Sequence, residues 1–264
     1  NKVIKFIELV MSKQIDLIVN WMRVGFIHGV MNTDNSTICG ETIDYGPCAF
    51  MDQYDHKAVF SSIDFQGRYA YGNQPATIHW NLFRLAESLL PLINQDESKS
   101  IEIAQKTIDS FSEIFNKKWQ SMMRSKLGLI DQSEEDEVLI KDLLTWMQSK
   151  KPDFTNTFRN LMNTKHANDE EFEENEFLAW KKNWKERVNN NDYLKIMKKT
   201  NPVLIPRNCL VEEALTEAEA DGKFSKFKEL LAVLSKPYEQ LDIDEKYYKT
   251  PQIQAEPYKT FCGT

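Results

Sequence analysis

The segment at residues 25–47 reads GFIHGVMNTDNSTICGETIDYGP and gathers polar side chains directly after a strongly apolar helical stretch. Two β-prone pieces, residues 36–38 and 41–43, flank a Cys-Gly pair within it, which predicts a β-hairpin closed by a two-residue turn. In that register Asn35 stands directly opposite Asp44, with Cβ atoms about 4.5–5.5 Å apart.

This pair of side chains predicts a metal site. A neutral amide and a carboxylate at such a separation suit a Mg²⁺ ion that is also held by phosphate oxygens. Asp34 is the neighbour of Asn35, and its carboxylate need not share the ligand direction, so it could face an acceptor hydroxyl instead. The alternative is structural, because Asp34, Asn35 and Asp44 are all residue types that form turns and Asx caps.

Helical patterns dominate the rest of the chain. Residues 3–26 carry apolar side chains three to four positions apart and predict a helix buried on a broad face. Residues 27–73, with most of the nine glycines, predict loops and short strands, and the helical pattern then runs from Pro75 until Pro91 kinks or ends it. Further helices are predicted over 98–127 with Gly128 as the stop, and over 170–188, 207–220 and 224–234. Two more carry start signals: Ser133 and Asp136 form an approximate capping box for a helix that runs to about Gln148, and Asp153 caps a helix that runs to Met162. The sequence therefore predicts a mainly α fold, with the tryptophans mostly in the core.

Composition excludes several classes of function. The chain has 264 residues with 33 basic and 40 acidic side chains, a net charge of −7, whereas nucleic-acid binders are usually basic. No apolar run approaches the roughly 20 residues that cross a bilayer, so no membrane partner is expected. Four scattered cysteines without a CxxC pair, and histidines without ligand spacing, disfavour a disulfide scaffold or zinc site and favour a reducing compartment. Because the chain opens Asn1-Lys2-Val3 without Met, we expect a segment to precede it.

The order of elements is typical of a protein-kinase-like C-lobe: a buried helix, a His-Gly loop ending in Asn, a hairpin, then Asp-aromatic-Gly. In a kinase catalytic loop the base Asp follows the His by two residues, and the metal-binding Asn follows that Asp by five. Counting from His28, Asn35 occupies the metal position but Val30 occupies the base position. Valine cannot accept a proton. The protein is therefore either catalytically inactive or uses another group, for which Asp34 is the nearest candidate.

Several motifs carry a specific resemblance. The string HGVMNTDN at residues 28–35, TIDYGP at 42–47, QGRYA at 66–70 and NQP at 73–75 resemble the selenoprotein O family, known in bacteria as YdiU. More distant stretches agree with it: MRSKLGL at 123–129, DFT at 153–155, Phe158-Arg159, Asn201-Pro202, PRN at 206–208 and the terminal FCGT at 261–264. The resemblance therefore covers nearly the whole chain.

This resemblance implies a protein-kinase-like fold with a protein adenylyltransferase activity, in which AMP moves from ATP to Ser, Thr or Tyr hydroxyls. The nucleotide is flipped relative to kinases, so that its α-phosphate faces the acceptor. By motif match, Asp34 corresponds to the proton acceptor, and Asn35 and Asp44 correspond to the ligands of Mg²⁺ or Mn²⁺. Asp44 would also contact ATP through the ion.

The resemblance also implies a domain organisation. Residues 1–130 would form the kinase-like C-lobe with the catalytic and metal-binding loops, and residues 131–264 a helical C-terminal extension packed on that lobe. The family's N-lobe supplies a Gly-rich loop, an ATP-contacting Lys with its Glu partner, and phosphate-binding arginines, and no such motif is found here. We therefore expect this fragment alone to bind ATP weakly and not to turn over.

The implied partners are ATP and proteins with hydroxyl side chains, for a monomer located in a bacterial cytoplasm or, in a eukaryote, in mitochondria. Two other functions stay open. One is a kinase-type phosphotransferase; the other is a noncatalytic pseudokinase scaffold, which Val30 favours.

Three further residues carry expectations. Bacterial family members can join a cysteine of the activation segment to the C-terminal cysteine, but here Phe60 takes that position, which leaves Cys262 without that partner unless Cys48 substitutes. We expect His28 to brace the catalytic loop through a backbone hydrogen bond. Arg68 is expected either to anchor the activation segment by charge-assisted bonds or to pair with a surface carboxylate.

Overall fold

The computed structural model describes residues 1–163, 170–188, 192–249, 251 and 258–261. Within these ranges the chain forms eleven α-helices and one two-stranded sheet, so the predicted mainly α fold is confirmed. The helices are α1 (Lys2–Val24), α2 (Gln74–Ser88), α3 (Leu90–Ile93), α4 (Glu97–Asp109), α5 (Phe111–Lys126), α6 (Glu135–Lys150), α7 (Phe154–Leu161), α8 (Asn175–Arg187), α9 (Tyr193–Thr200), α10 (Asn208–Asp221) and α11 (Ser225–Leu234). None of them combines the length and the apolar character needed to cross a bilayer.

Helix α1 is the centre of the first half, as its apolar spacing predicted. Its buried face packs against α2, α4 and α5. The helix ends at Gly25, whose φ of 75° is in the left-handed region and whose N–H bonds to the carbonyl of Trp21. The chain therefore turns sharply out of the helix at Gly25, and Phe26 and Ile27 stay in the core as the next segment begins.

The two strands lie at the ends of that polar segment and not inside it. Strand β1 (Phe26–Ile27) pairs antiparallel with β2 (Ala49–Phe50), with Phe26 opposite Phe50. The predicted hairpin between residues 36–38 and 41–43 is wrong, since no ladder forms there. The hydroxyl of Thr37 instead accepts a hydrogen bond from the N–H of Glu41 (2.9 Å) and donates one to its carbonyl (2.8 Å). A side chain thus takes the backbone groups that a strand partner would have used.

A second expectation fails at Ser110. The predicted single helix over 98–127 is two helices, α4 and α5, which meet at this residue. The Ser110 hydroxyl donates to the carbonyl of Thr107 (2.7 Å), and the next residue, Phe111, is buried with its ring stacked on His79 at 4.8 Å. Burying that ring against α2 turns the chain. The predicted stop at Gly128 is confirmed, with φ at 71°.

The second half follows its sequence signals at several helix starts, but the helix predicted over 170–188 is a short 3₁₀ helix (Glu170–Glu173) followed by α8 from Asn175. Asp136 accepts from the N–H of Ser133 (3.0 Å) at the start of α6, and Asp153 accepts from the N–H of Asn156 (2.7 Å) at the start of α7. Helix α9 was not predicted, because its eight residues are fewer than the roughly 11–18 over which a helical spacing is read. Most tryptophans are buried as expected, but Trp80 is 45% exposed.

A buried ion cluster ties the second half to the segment that follows β2. Arg207, which is 1% exposed, donates to Asp52 at 2.6 Å and to Asp153. Asn208 also donates to the carbonyl of Phe50 (3.1 Å). The start of α10 is therefore bonded directly to strand β2 and the residues after it.

Candidate functional site

The polar segment between the strands is folded back on itself at Gly29 and Pro47. Gly29 has φ at 86°, and a Cβ built on it would lie 2.7 Å from the carbonyl oxygen of Pro47. Only glycine fits both the backbone conformation and the close approach. The two ends of the segment therefore cross just beyond the β1–β2 pair.

His28 fastens the two halves of this loop to each other. Its ring is fully buried; Nδ1 accepts from the N–H of Val30 (3.3 Å), and Nε2 bonds to the carbonyl of Ile43 (2.7 Å). Because a carbonyl can only accept, Nε2 carries the proton and the imidazole is neutral. Burial lowers the pKa of His28, against the opposing effects of the Ile43 carbonyl and the Asp44 charge. The predicted bracing role of His28 is confirmed.

The structure brings Asn35 and Asp44 together, although by a route other than the predicted hairpin. Asn35 closes a short 3₁₀ helix (Thr33–Asn35), and its Nδ2 donates to the carbonyl of Val30 (3.1 Å) and to Oδ2 of Asp44 (2.9 Å). Because Nδ2 must face the Val30 carbonyl, Oδ1 of Asn35 lies on the other side of the amide. No hydrogen bond among the described residues uses that oxygen.

Asp44 is held in an uncommon conformation. Its φ is 56°, in the left-handed region, and its Oδ1 accepts from the N–H of Gly46 at 3.3 Å. Asp tolerates this region better than most non-glycine residues, but still adopts it mainly where its surroundings favour it. The His28 bond to Ile43 and the Asn35 bond supply that constraint on either side. In the described part of the chain, no Lys or Arg pairs with the exposed Asp44 carboxylate.

Asp34 lies on the same surface but outside the Asn35–Asp44 contact. It is exposed in the 3₁₀ helix, and within the described ranges its carboxylate accepts no hydrogen bond. Tyr69 lies beside it and donates to Oδ1 of Asn32 (2.6 Å). Burial raises the pKa of Tyr69, Arg68 lowers it, and the charges of Asp64 and Asp34 raise it further. Asp34 is thus open to a second reactant.

The donor set fits a hard cation such as Mg²⁺. The free Oδ1 of Asn35 and the carboxylate of Asp44, which has no basic partner among the described residues, are oxygen ligands. Mg²⁺ is typically bound by one or two such groups plus substrate phosphates and water. Among the described residues, no cluster of three or more His, Cys, Asp or Glu could hold a metal by itself. With two protein ligands, an ion at this site would take its remaining ligands from phosphate oxygens and water.

Two polar residues on α2 support the loop and were missed by sequence analysis. Gln74 accepts from the N–H of His28 (3.1 Å) and donates to the carbonyl of Phe26 (3.1 Å). Asn81 donates to the carbonyl of Met31 (3.0 Å) and to the Ser36 hydroxyl (2.8 Å), on both sides of the 3₁₀ helix. Both are buried. Their sequence signal was an amide at two positions, seven apart, on the apolar face of a helix.

Arg68 does neither of the things expected of it. Within the described ranges its guanidinium makes no ion pair and no hydrogen bond, so both expectations are wrong. It lies instead over the ring of Trp80, 4.9 Å from the ring centroid. The segment is anchored by Asp64, whose carboxylate accepts from the N–H groups of Arg68 (2.9 Å) and Tyr69 (2.8 Å).

Near its end the chain returns to this region. The N–H of Thr260 donates to the carbonyl of Phe60 (2.8 Å), and its hydroxyl donates to the carbonyl of Pro47 (2.7 Å).

Cys262 lies outside the described residues, so its predicted lack of a partner stays a prediction. Burial raises the pKa of the Cys48 thiol to about 11, which leaves it un-ionised at neutral pH.

The comparisons with known proteins all give the same family. The family model described as "Protein adenylyltransferase SelO" matches residues 1–235. Similar proteins include "Protein nucleotidyltransferase YdiU" from Clostridium perfringens strain SM101 (51% identical), Anoxybacillus flavithermus (50%) and Alcanivorax borkumensis (47%). Each match covers 100% of this chain and 55–56% of the relative. The chain therefore spans about half the length of the curated relatives it matches.

Proposed function

We propose, from the premise that this chain belongs to the SelO protein adenylyltransferase family, that it carries the acceptor and metal side of an AMP-transfer site. The reaction would move AMP from ATP to a Ser, Thr or Tyr hydroxyl of a protein. The observation that carries this proposal is the Asn35–Asp44 contact, 2.9 Å long and free of any basic partner in the described residues, with Asp34 exposed beside it.

The transfer needs a hydroxyl, a proton acceptor and compensation for charge. The acceptor oxygen bonds to the α-phosphorus while the bond to pyrophosphate breaks, and the hydroxyl proton passes to Asp34. Since phosphoryl-type transfer asks little of a strong base, Asp34 acts mainly by orienting the hydroxyl. Asn35 and Asp44 would hold Mg²⁺ or Mn²⁺, which neutralises charge on the phosphate oxygens when bound.

The surrounding residues keep these groups in place. The neutral His28 fixes the backbone next to Asp44, and the Val30 carbonyl fixes the amide of Asn35. Val30 thus contributes through its backbone where a kinase would use a side-chain base. This supports a site that relies on Asp34 as its proton acceptor.

We extend the proposal to the architecture. Residues 1–130 would be a protein-kinase-like C-lobe, and residues 131–264 an extension that supports it, consistent with the Arg207 bonds to Asp52 and Asp153. ATP binding would require a further lobe, which fits the chain's coverage of about half of its relatives. The isolated 264-residue chain is then expected to bind ATP weakly and to show no turnover.

The test uses the full-length protein with ATP labelled on either the α- or the γ-phosphate. Label that stays on protein only from the α position supports AMP transfer; label retained only from the γ position identifies a phosphotransferase instead. Asp44→Ala and Asp34→Asn should each lower the transfer rate by about a hundredfold or more, because each removes a group that acts on the transition state. Asp142→Ala, on the exposed side of α6, is the matched control and should leave the rate unchanged.

One specific observation favours a second candidate. Val30 stands where kinases place their base, so a noncatalytic scaffold is the competing function. In that case neither the parent protein nor Asp44→Ala transfers label from ATP to protein, while the two proteins bind the same partners. That result would establish the noncatalytic scaffold function.

A further inference from the structure

An exposed surface that carries one arginine lies beside the Asp34 loop and takes no part in the chemistry above. Its members are Arg68 and Trp80, and we refer to them as the Arg68 surface. Arg68 is exposed, and Trp80 is 45% exposed.

The backbone of this surface is held rigidly. The Asp64 carboxylate takes the N–H groups of both Arg68 and Tyr69, and the Thr77 hydroxyl donates to the carbonyl of Arg68 at 3.0 Å. The guanidinium then rests on the Trp80 ring. An arginine held in this way loses less conformational freedom on binding than a free surface side chain would.

The charge of Arg68 is not used within the described residues. The neighbouring Arg84, which lies 5.4 Å from the centroid of the same indole ring, pairs with Glu87 at 2.9 Å, whereas Arg68 pairs with no carboxylate. Stacking on a ring covers the face of a guanidinium and leaves its N–H edge open. That edge matches the two oxygens of a carboxylate.

The Arg68 surface adjoins the proposed reaction centre. Tyr69, the next residue, donates to Asn32, which directly precedes the 3₁₀ helix that carries Asp34. A polypeptide whose hydroxyl reached Asp34 would therefore pass close to Arg68.

We propose that the Arg68 surface binds an acidic side chain that flanks the acceptor hydroxyl in the protein substrate. The occupant is an extended acidic segment, with its carboxylate on the N–H edge of Arg68 and apolar atoms against the exposed part of Trp80. This proposal rests on the proposed function and adds a substrate class to it, namely hydroxyl groups in acidic sequence contexts.

The first experiment measures binding without ATP, so that it does not depend on catalysis. Two fluorescent peptides carry one Tyr flanked either by Asp and Glu or by Asn and Gln, and their affinity for the 264-residue chain is read by anisotropy at low salt. The acidic peptide should bind about fivefold more tightly than the neutral one. Arg68→Gln should abolish that preference, Arg68→Lys should restore part of it, and Arg124→Gln, which removes the same charge from α5, should not change it.

The second experiment follows AMP transfer to the same peptides by the full-length protein. Arg68→Gln should raise the KM for the acidic peptide about fivefold and leave the KM for ATP unchanged. Equal use of both peptides, or a rise in the KM for ATP instead, overturns the proposal, and the latter result would assign Arg68 to the nucleotide. An Arg68-dependent binding preference without any AMP transfer supports this surface and refutes the proposed function alone.

Discussion

Removing the charge of Arg207 should destabilise the fold strongly and in a pH-dependent way. The guanidinium is 1% exposed and lies between the carboxylates of Asp52 and Asp153. At 2.6 Å and an effective dielectric constant near 20, one such pair attracts by about 6 kcal/mol, most of which offsets desolvation. Deleting one partner of a buried pair costs about 3–5 kcal/mol, because the remaining charge stays buried and uncompensated. We expect Arg207→Met to lose about 4 kcal/mol of unfolding free energy at pH 7.5.

The loss of unfolding free energy caused by Arg207→Met should also depend on pH. Burial raises the pKa of Asp52, while Arg207 lowers it, so removing Arg207 must raise that pKa further. A carboxyl whose folded pKa exceeds its unfolded value costs stability as the pH rises through that interval, and costs nothing below both values. The difference between Arg207→Met and the parent chain should therefore shrink as the pH falls from 7.5 to 4.5.

Urea unfolding of the 264-residue chain, followed by circular dichroism at several pH values, measures both quantities. Lys236→Met is the matched control, since Lys236 and its partner Glu239 are both exposed and their pair should contribute less than about 1 kcal/mol. A loss below about 1 kcal/mol for Arg207→Met, or a loss of the same size at every pH, would refute the reasoning.

Two further predictions concern the loop that carries the site. Burial lowers the folded pKa of His28 below its ordinary 6.5, so the unfolding free energy should fall as the pH drops through about 6.5. His28→Gln should remove that part of the pH dependence in urea titrations. An unchanged dependence of the unfolding free energy on pH would contradict a neutral, buried His28. Gly29→Ala places a Cβ 2.7 Å from the Pro47 carbonyl oxygen at a φ of 86°, so it should lower the unfolding free energy by about 2 kcal/mol or more in the same measurement. Gly222 is also left-handed but has open space around it, so Gly222→Ala should lower the unfolding free energy less.

The sequence predicted local features well where the signal was itself local. The apolar spacing of α1, the caps at Asp153 and Asp136, and the stop at Gly128 depend on neighbouring residues, and all are found in the structure. The Asn35–Asp44 contact was also predicted, but through a hairpin that does not form. The observed loop brings these side chains together without a ladder, because it is closed by the crossing at Gly29.

The features that sequence analysis missed depend on contacts far apart along the chain. Gln74 bonds to residues more than forty positions away, and Asn81 to residues at similar separation. An amide on an apolar helix face is visible in the sequence, but its partner is not. The break between α4 and α5 at Ser110 also depends on a tertiary contact, since Phe111 stacks on His79 of α2.

The bond from Thr260 to Pro47 spans 213 positions and closes the back of the loop that holds Asp44. During synthesis on a ribosome, this contact cannot form until Thr260 has been added, 213 positions after Pro47. Contacts at such separation slow folding, because a long stretch of chain must be ordered before they are made. The growing polypeptide could thus form helix α1 well before the Thr260 bond closes the loop near Asp44.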